Sequence, residues 1–355
     1  MNHIERVIRT IEFNNPDILP YELNDVPGVY DAYATIDPTK LKQIPGTEDC
    51  DSIRVTYHWT FLKKDKNPSG EEIRRDEWGC LHRIPNDTDV AYEIIEKPLI
   101  DPLSFNSYKF PNPDITDYFF ERIEKKLEPY RDRFICAYID PGPFLIAFNL
   151  MGYEGLFFRL KDDLQQVEDL IAGIIEYQKC IIEKWNKIGV HMLAMIDELA
   201  GTTGMMFSPQ LWRDRFKKYY IDFFSLAKKY GLYTSLYLDG NISAIFDDLQ
   251  DLPLDMLESL QPNATGIKKW SYKFKGIKCL KASADFMTTL SGRDMDKLDK
   301  EIRSLFDLYS TPDGGFMPVV VRWHRPAFNE ETVVASVKSI QRYRREWAKK
   351  CNKTS

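Results

Sequence analysis

The chain has 355 residues, is 43% hydrophobic and 29% charged, and carries a formal net charge of −6. That balance suits a water-soluble globular chain and argues against a nucleic-acid partner, because no basic stripe offsets the acidity; the basic ending RYRREWAKKCNK reads as a solvated last helical turn. No apolar run approaches a membrane span and no signal-peptide core opens the chain, while six dispersed cysteines without CxxC spacing point to a reducing cytoplasm.

In chain order, residues 4–13 (IERVIRTIEF) are expected to form a short amphipathic helix ending at Asn14-Asn15-Pro16. Residues 52–62 (SIRVTYHWTFL) alternate as a strand does. The polar turn KKDKNPSGEE then leads to RRDEWGCLHR, a pattern expected to form a hairpin decorating the start of the fold. Residues 97–116 are proline-rich and read as an extended surface connection. Phe134 to Ile139 is an apolar run of strand length, broken by Asp140-Pro141-Gly142-Pro143. From Asp162 to Ile188 the spacing of Leu164, Val167, Ile171, Ile174, Ile181 and Trp185 predicts a long helix, with Gly189 as its stop.

The stretch from His191 to Asn241 organises the second half. His191 to Ile196 reads as a strand buried on both faces and ends in Asp197-Glu198. Ser208-Pro209 starts a helix whose buried face carries Trp212, Phe216, Tyr219, Phe223 and Ala227, and Gly231 closes it. Tyr233 to Leu238 is the next strand and delivers Asp239-Gly240-Asn241. Further strands are expected at 255–260, 277–282 and 316–322, helices at 296–309 and from Asn329 onward. This alternation predicts parallel βα units and an α/β fold, a TIM-type (β/α)8 barrel in one domain over 1–355. Within it, residues 1–130 form an N-terminal extension with the first barrel elements, and 131–350 the main βα repeats. Chemistry in such a barrel sits at the strand C-termini, where both acidic clusters fall.

The segments ERVIRTIEFNNPDILP, DEWG at 76–79, DPGPF with MGYEGLFFRL at 140–160, MIDELAGTTGMMFSPQLWRDRF, LDGN, DMLESLQP and SADFMTTLSG, in this order, resemble the uroporphyrinogen decarboxylase superfamily. More narrowly they resemble its branch of corrinoid-dependent methyltransferases and O-demethylases. The resemblance implies a barrel with a cleft at the strand C-termini. It departs from the porphyrin decarboxylases at PDILPYELNDV, where those carry an arginine-rich segment, so no bidentate partner is offered to a polycarboxylate. It departs from the thiol-activating methyltransferases too: their zinc-binding His-x-Cys pair corresponds to Tyr237 and Asp239 here. Oxygen ligands would better suit a Lewis acid acting on an ether oxygen.

These readings together give the candidate residues. Asp197 and Glu198 are assigned to proton transfer or substrate orientation, with a capping or salt-bridged pair as the structural alternative. Tyr237 is a candidate hydrogen-bond donor to an ether oxygen, or an amphipathic core residue. Asp239, Glu258 and Cys279, from three successive strands, could converge as zinc ligands. Otherwise Asp239 caps a turn, Glu258 pairs with a lysine and Cys279 is a small buried hydrophobe. Trp78, His82, Glu154 and His324 are placed at the substrate, Glu154 because it matches a family glutamate. His58 lies in the same N-terminal region as His82, and His191, at the start of a strand, belongs to the opposite face. The expected activity is transfer of a methyl group from a small methylated compound, methoxylated aromatics included, to a corrinoid. With no DxHxxG segment in the chain, that corrinoid is expected on a separate protein. A lyase decarboxylating a smaller carboxylate and a non-catalytic barrel are the alternatives.

Overall fold

The computed structural model describes residues 1–23, 49–84, 93–321 and 330–351. The apolar runs become one closed barrel: β1 (Glu22–Leu23), β2 (Ser52–Tyr57), β3 (Phe134–Ile139), β4 (Met192–Asp197), β5 (Tyr233–Leu238), β6 (Met256–Ser259), β7 (Cys279–Ala282) and β8 (Phe316–Val320). Every neighbouring pair is parallel, and β8 pairs with β1 to close the ring. All residues of β2, β3, β6, β7 and β8 are buried, because one face packs into the barrel and the other under the helices. This is the TIM-type architecture expected from the alternating pattern.

The helix signals fall where the sequence puts them. Leu164–Ile188 is one helix, capped by the Asp163 side chain and stopped at Gly189 with φ 79°. The helical run from Pro209 to Lys229 begins at Ser208, whose Oγ accepts from the Leu211 amide, and buries Trp212, Phe216, Tyr220, Phe223 and Ala227; Tyr219 is only half-buried. Glu330–Cys351 buries Val333, Val337 and Ile340. The helix His3–Ile11 lays Val7 and Ile11 across the bottom of the barrel, against Phe134 and Met192. No helix among the described residues is long and apolar enough to cross a membrane.

One expectation needs correction. Ser52–Tyr57 is not an outer hairpin arm but barrel strand β2, and its six positions pair with β3. The decoration begins after it, as an antiparallel four-stranded sheet of Phe61–Lys66, Glu72–Asp76, Leu81–Ile84 and Glu93–Glu96. The alternation of SIRVTY suits either sheet; its full burial on both faces was invisible because Arg54 reads as a solvent-facing residue.

The barrel interior is stratified. Low down, Cys136, Met192, Ala194, Met256, Cys279 and Met317 form an apolar plug. Above them Glu22, Arg54, Tyr138, Glu258 and Lys281 are buried together. Lys281 Nζ lies 2.5 Å from Glu22 Oε1 and 3.5 Å from Glu258 Oε2 and donates to the Tyr138 hydroxyl at 2.5 Å, while Arg54 pairs with Glu258 and lies 3.4 Å from Glu22. The Tyr138 hydroxyl in turn donates to Glu258. Two cations and two anions cancel, which makes their burial tolerable. Removing one should be costly: Lys281→Met should destabilise the fold by about 3–5 kcal/mol in urea denaturation, because it leaves Glu22 and Glu258 to share the single charge of Arg54.

Candidate active site

The loops leaving the strand C-termini carry the chemistry-bearing residues. Asp197 ends β4, but its carboxylate is consumed by the fold. It accepts from the amides of Phe144 (3.2 Å), Leu145 (3.0 Å) and Glu198 (2.9 Å) and from the Tyr220 hydroxyl (2.6 Å). Asp197 therefore caps the helix Pro143–Asp162 that crosses above β3. The capping approach is so close that a Cβ on Gly142 would lie 2.6 Å from Asp197 Cβ and 2.7 Å from the Ile196 carbonyl oxygen, which is why glycine stands there. The catalytic assignment of Asp197 is thus corrected to a capping one.

Glu198, the next residue, is exposed. Partial burial by the cleft walls and the charges of Asp197, Asp140 and Asp239 raise its carboxyl to about 7. Asp140, directly after β3, is pushed up to about 7 by burial against an opposing pull from Arg54, and its Oδ2 lies 3.1 Å from His58 Nδ1. Burial and the Arg54 charge push His58 down to about 3, so its imidazole is neutral. Asp239, after β5, accepts from the Tyr237 hydroxyl (2.6 Å), Ser259 Oγ and the amides of Leu260 and Gln261 (each 3.0 Å); burial nevertheless raises its carboxyl to about 6. Burial, with the neighbouring Asp239 and Glu258 charges, keeps the Tyr237 hydroxyl protonated. Asp140, Glu198 and Asp239 therefore share one mouth, with two carboxyls that titrate near neutrality and can give or take a proton there. Among the described residues, none of the three forms an ion pair with a lysine or arginine.

Three expectations fail on placement. Register sets Tyr237 beside Glu258 and Glu258 beside Lys281, whereas Cys279 pairs with Met256. Cys279 is thus one inward-facing layer below Glu258, and Asp239 is one layer above, with layers about 6.6 Å apart. Zinc bonds of about 2.0–2.3 Å cannot span that ladder, so Asp239, Glu258 and Cys279 do not form a common ligand set. No group of three or more His, Cys, Asp or Glu residues suited to a metal exists among the described residues. Trp78 and His82 are buried in packing rather than presented at the mouth. Trp78 is buried with its ring 4.8 Å from that of Tyr177, and His82, wholly buried, bonds Asp76 at 2.6 Å, so both fasten the antiparallel sheet. Glu154 is exposed on the helix above β3, two residues past its kink at Gly152. His324 lies outside the described residues. His191, as read, is at the far face, where its Nδ1 accepts from the Ile135 amide.

The sequence reading passed over Asp140, Arg54 and Lys281. Asp140 follows a recognised strand and met the same criterion as Asp197 and Asp239. Arg54 and Lys281 stand at alternate positions with Ser52 and Cys279, a period-two signal that points them into the barrel.

No family model and no curated protein matches the sequence. Among solved structures, a methyltransferase from Methanosarcina mazei aligns with a TM-score of 0.65 at 16% identity, over 97% of this chain and 99% of that one. Xylanase B from Clostridium stercorarium F9 aligns with a TM-score of 0.44 at 10% identity, over 85% of each chain. At 16% identity the likeness to the methyltransferase shows a shared barrel, end to end.

The division of labour between adjacent acids is testable by urea denaturation. Asp197→Ala should cost about 2–4 kcal/mol, because four donors lose their acceptor, whereas Glu198→Gln should stay within about 0.5 kcal/mol of wild type.

Proposed function

We propose that the protein is a methyltransferase that removes a methyl group from a small methylated compound, a methoxylated aromatic being the expected donor, and delivers it to a corrinoid on a separate protein. The observation that carries this reading is the mouth itself, in which Asp140, Glu198 and Asp239 gather just after three successive strands and burial raises the carboxyls of Asp140 and Glu198 to about 7. The full-length structural likeness to a methyltransferase supports it.

Breaking a methyl–oxygen bond leaves an electron pair on oxygen, and a proton delivered there turns a poor leaving group into a neutral alcohol or phenol. Glu198 reaches solvent and is the group placed to donate that proton. Asp140, against neutral His58, can reload it or orient the substrate. Tyr237 and Asp239 hold the adjoining wall. The corrinoid, once bound, supplies the nucleophile that accepts the methyl group. No step runs through zinc, since the expected ligands do not converge.

The alternative decarboxylase fits this mouth less well. A carboxylate substrate would face Asp140, Glu198 and Asp239, and among the described residues the cation beneath them, Arg54, is already paired with Glu258. A non-catalytic barrel gives no reason to collect carboxyls whose charges repel one another.

The test combines the purified protein with a reduced corrinoid protein and a panel of methoxylated aromatics, following demethylated product. Product formation is expected, and Glu198→Gln should lower kcat by about 10²–10³-fold at unchanged melting temperature. Carbon dioxide release without any corrinoid, or a Glu198→Gln variant as active as wild type, would overturn the reading.

A further inference from the structure

We propose that Arg54 is a positioning residue for this mouth: a cation locked inside the barrel that orders the mouth residues from one layer below. The proposal rests on the reading of the mouth as the reacting site. The guanidinium is buried, with its Cζ 3.8 Å above the centre of the Tyr138 ring and 5.9 Å from that of Tyr237. Both tyrosines stand two residues before a mouth carboxylate: Tyr138 precedes Asp140 on β3, and Tyr237 precedes Asp239 on β5 and donates to it. Arg54 shares β2 with the residues leading to His58, which lies against Asp140. One side chain therefore touches, or shares a strand with, each wall of the cleft except that of Glu198.

The clamp beneath explains why the arginine stays put. Glu258 pairs with one guanidinium nitrogen and Glu22 approaches Nε, while Lys281 holds both glutamates from the other side. A planar guanidinium can stack on a ring and bond carboxylates in its own plane at once, which a lysine ammonium cannot. For packing and stability alone an apolar floor would serve as well, since a buried ion-pair set seldom outperforms hydrophobic residues of equal volume. What the apolar floor would lack is a positive charge under the acids. That charge is felt at Asp140 and at His58, and it opposes the effect of burial on Asp140. The groups facing Asp140 are His58 just after β2, Glu198 just after β4, and Arg54 from below.

The experiment reads protonation directly, so it stands or falls independently of the methyl-transfer assay. Aspartates are labelled with carbon-13 at the carboxyl carbon, the Asp140 signal is assigned by its loss in Asp140→Asn, and its titration midpoint is followed by NMR. In the double variant Arg54→Met, Glu258→Gln, which removes one charge of each sign, the midpoint should rise by about one unit. In Glu258→Gln alone, which leaves Arg54 less compensated, it should fall. Arg54→Lys should hold it within about half a unit of wild type while failing to restore the activity of the site, because charge returns but the stacked plane does not. A midpoint unmoved in the folded double variant, or unmoved in Glu258→Gln, would overturn the proposal.

Discussion

Inside the barrel, Glu22 and Glu258 meet Arg54 and Lys281 at direct ion-pair distance, and the Tyr138 hydroxyl joins the set. Each of these charges alone would be costly to bury, and only their mutual pairing allows charged side chains in a space that barrels commonly fill with branched aliphatics. The consequence is vertical order. Apolar residues seal the bottom, a neutral ion-pair layer forms the floor, and carboxyl groups crowd the mouth. Tyr138 belongs to the floor two residues before Asp140, and Tyr237 reaches from beside it to Asp239 at the rim, so the positions of both carboxylates depend on how the floor is packed.

The mouth then behaves as its surroundings dictate. Asp197 and Asp239 are both rich in hydrogen-bond donors and act largely as braces, one for the helix above β3 and one for the turn after β6. Asp140 and Glu198 have no such set of donors and bear the cost of burial instead, with like-charge repulsion added at Glu198, which raises each carboxyl to about 7. Neighbouring acids in the same loop system thus divide, by the number of donors each has met, into those that brace the fold and those left to titrate near neutrality.

Much of the fold was legible in the chain. Strand runs such as Phe134–Ile139 and Tyr233–Leu238, the Gly189 and Gly231 stops and the Ser208-Pro209 start are local signals, and the structure keeps them. Less of the site was legible. That Asp197 is a cap depends on Phe144 and Leu145, some 50 positions away, and no local pattern reports such a contact. That Asp239, Glu258 and Cys279 occupy three different layers depends on register, which strand identity alone does not supply. His82 and Trp78 were expected at the substrate, yet their burial against Asp76 and Tyr177 is a property of the sheet's packing.

The central claim is that a protonated carboxyl of the mouth does the chemical work. The most direct measurement is the pH dependence of kcat/KM for methyl transfer between about pH 6 and 9, at saturating reduced corrinoid protein. With Glu198 and Asp140 as interacting acids near 7, the rate should fall tenfold per pH unit above an apparent pKa close to that value. A profile flat through this range would mean that neither carboxyl delivers the proton, and the account of the mouth would be wrong.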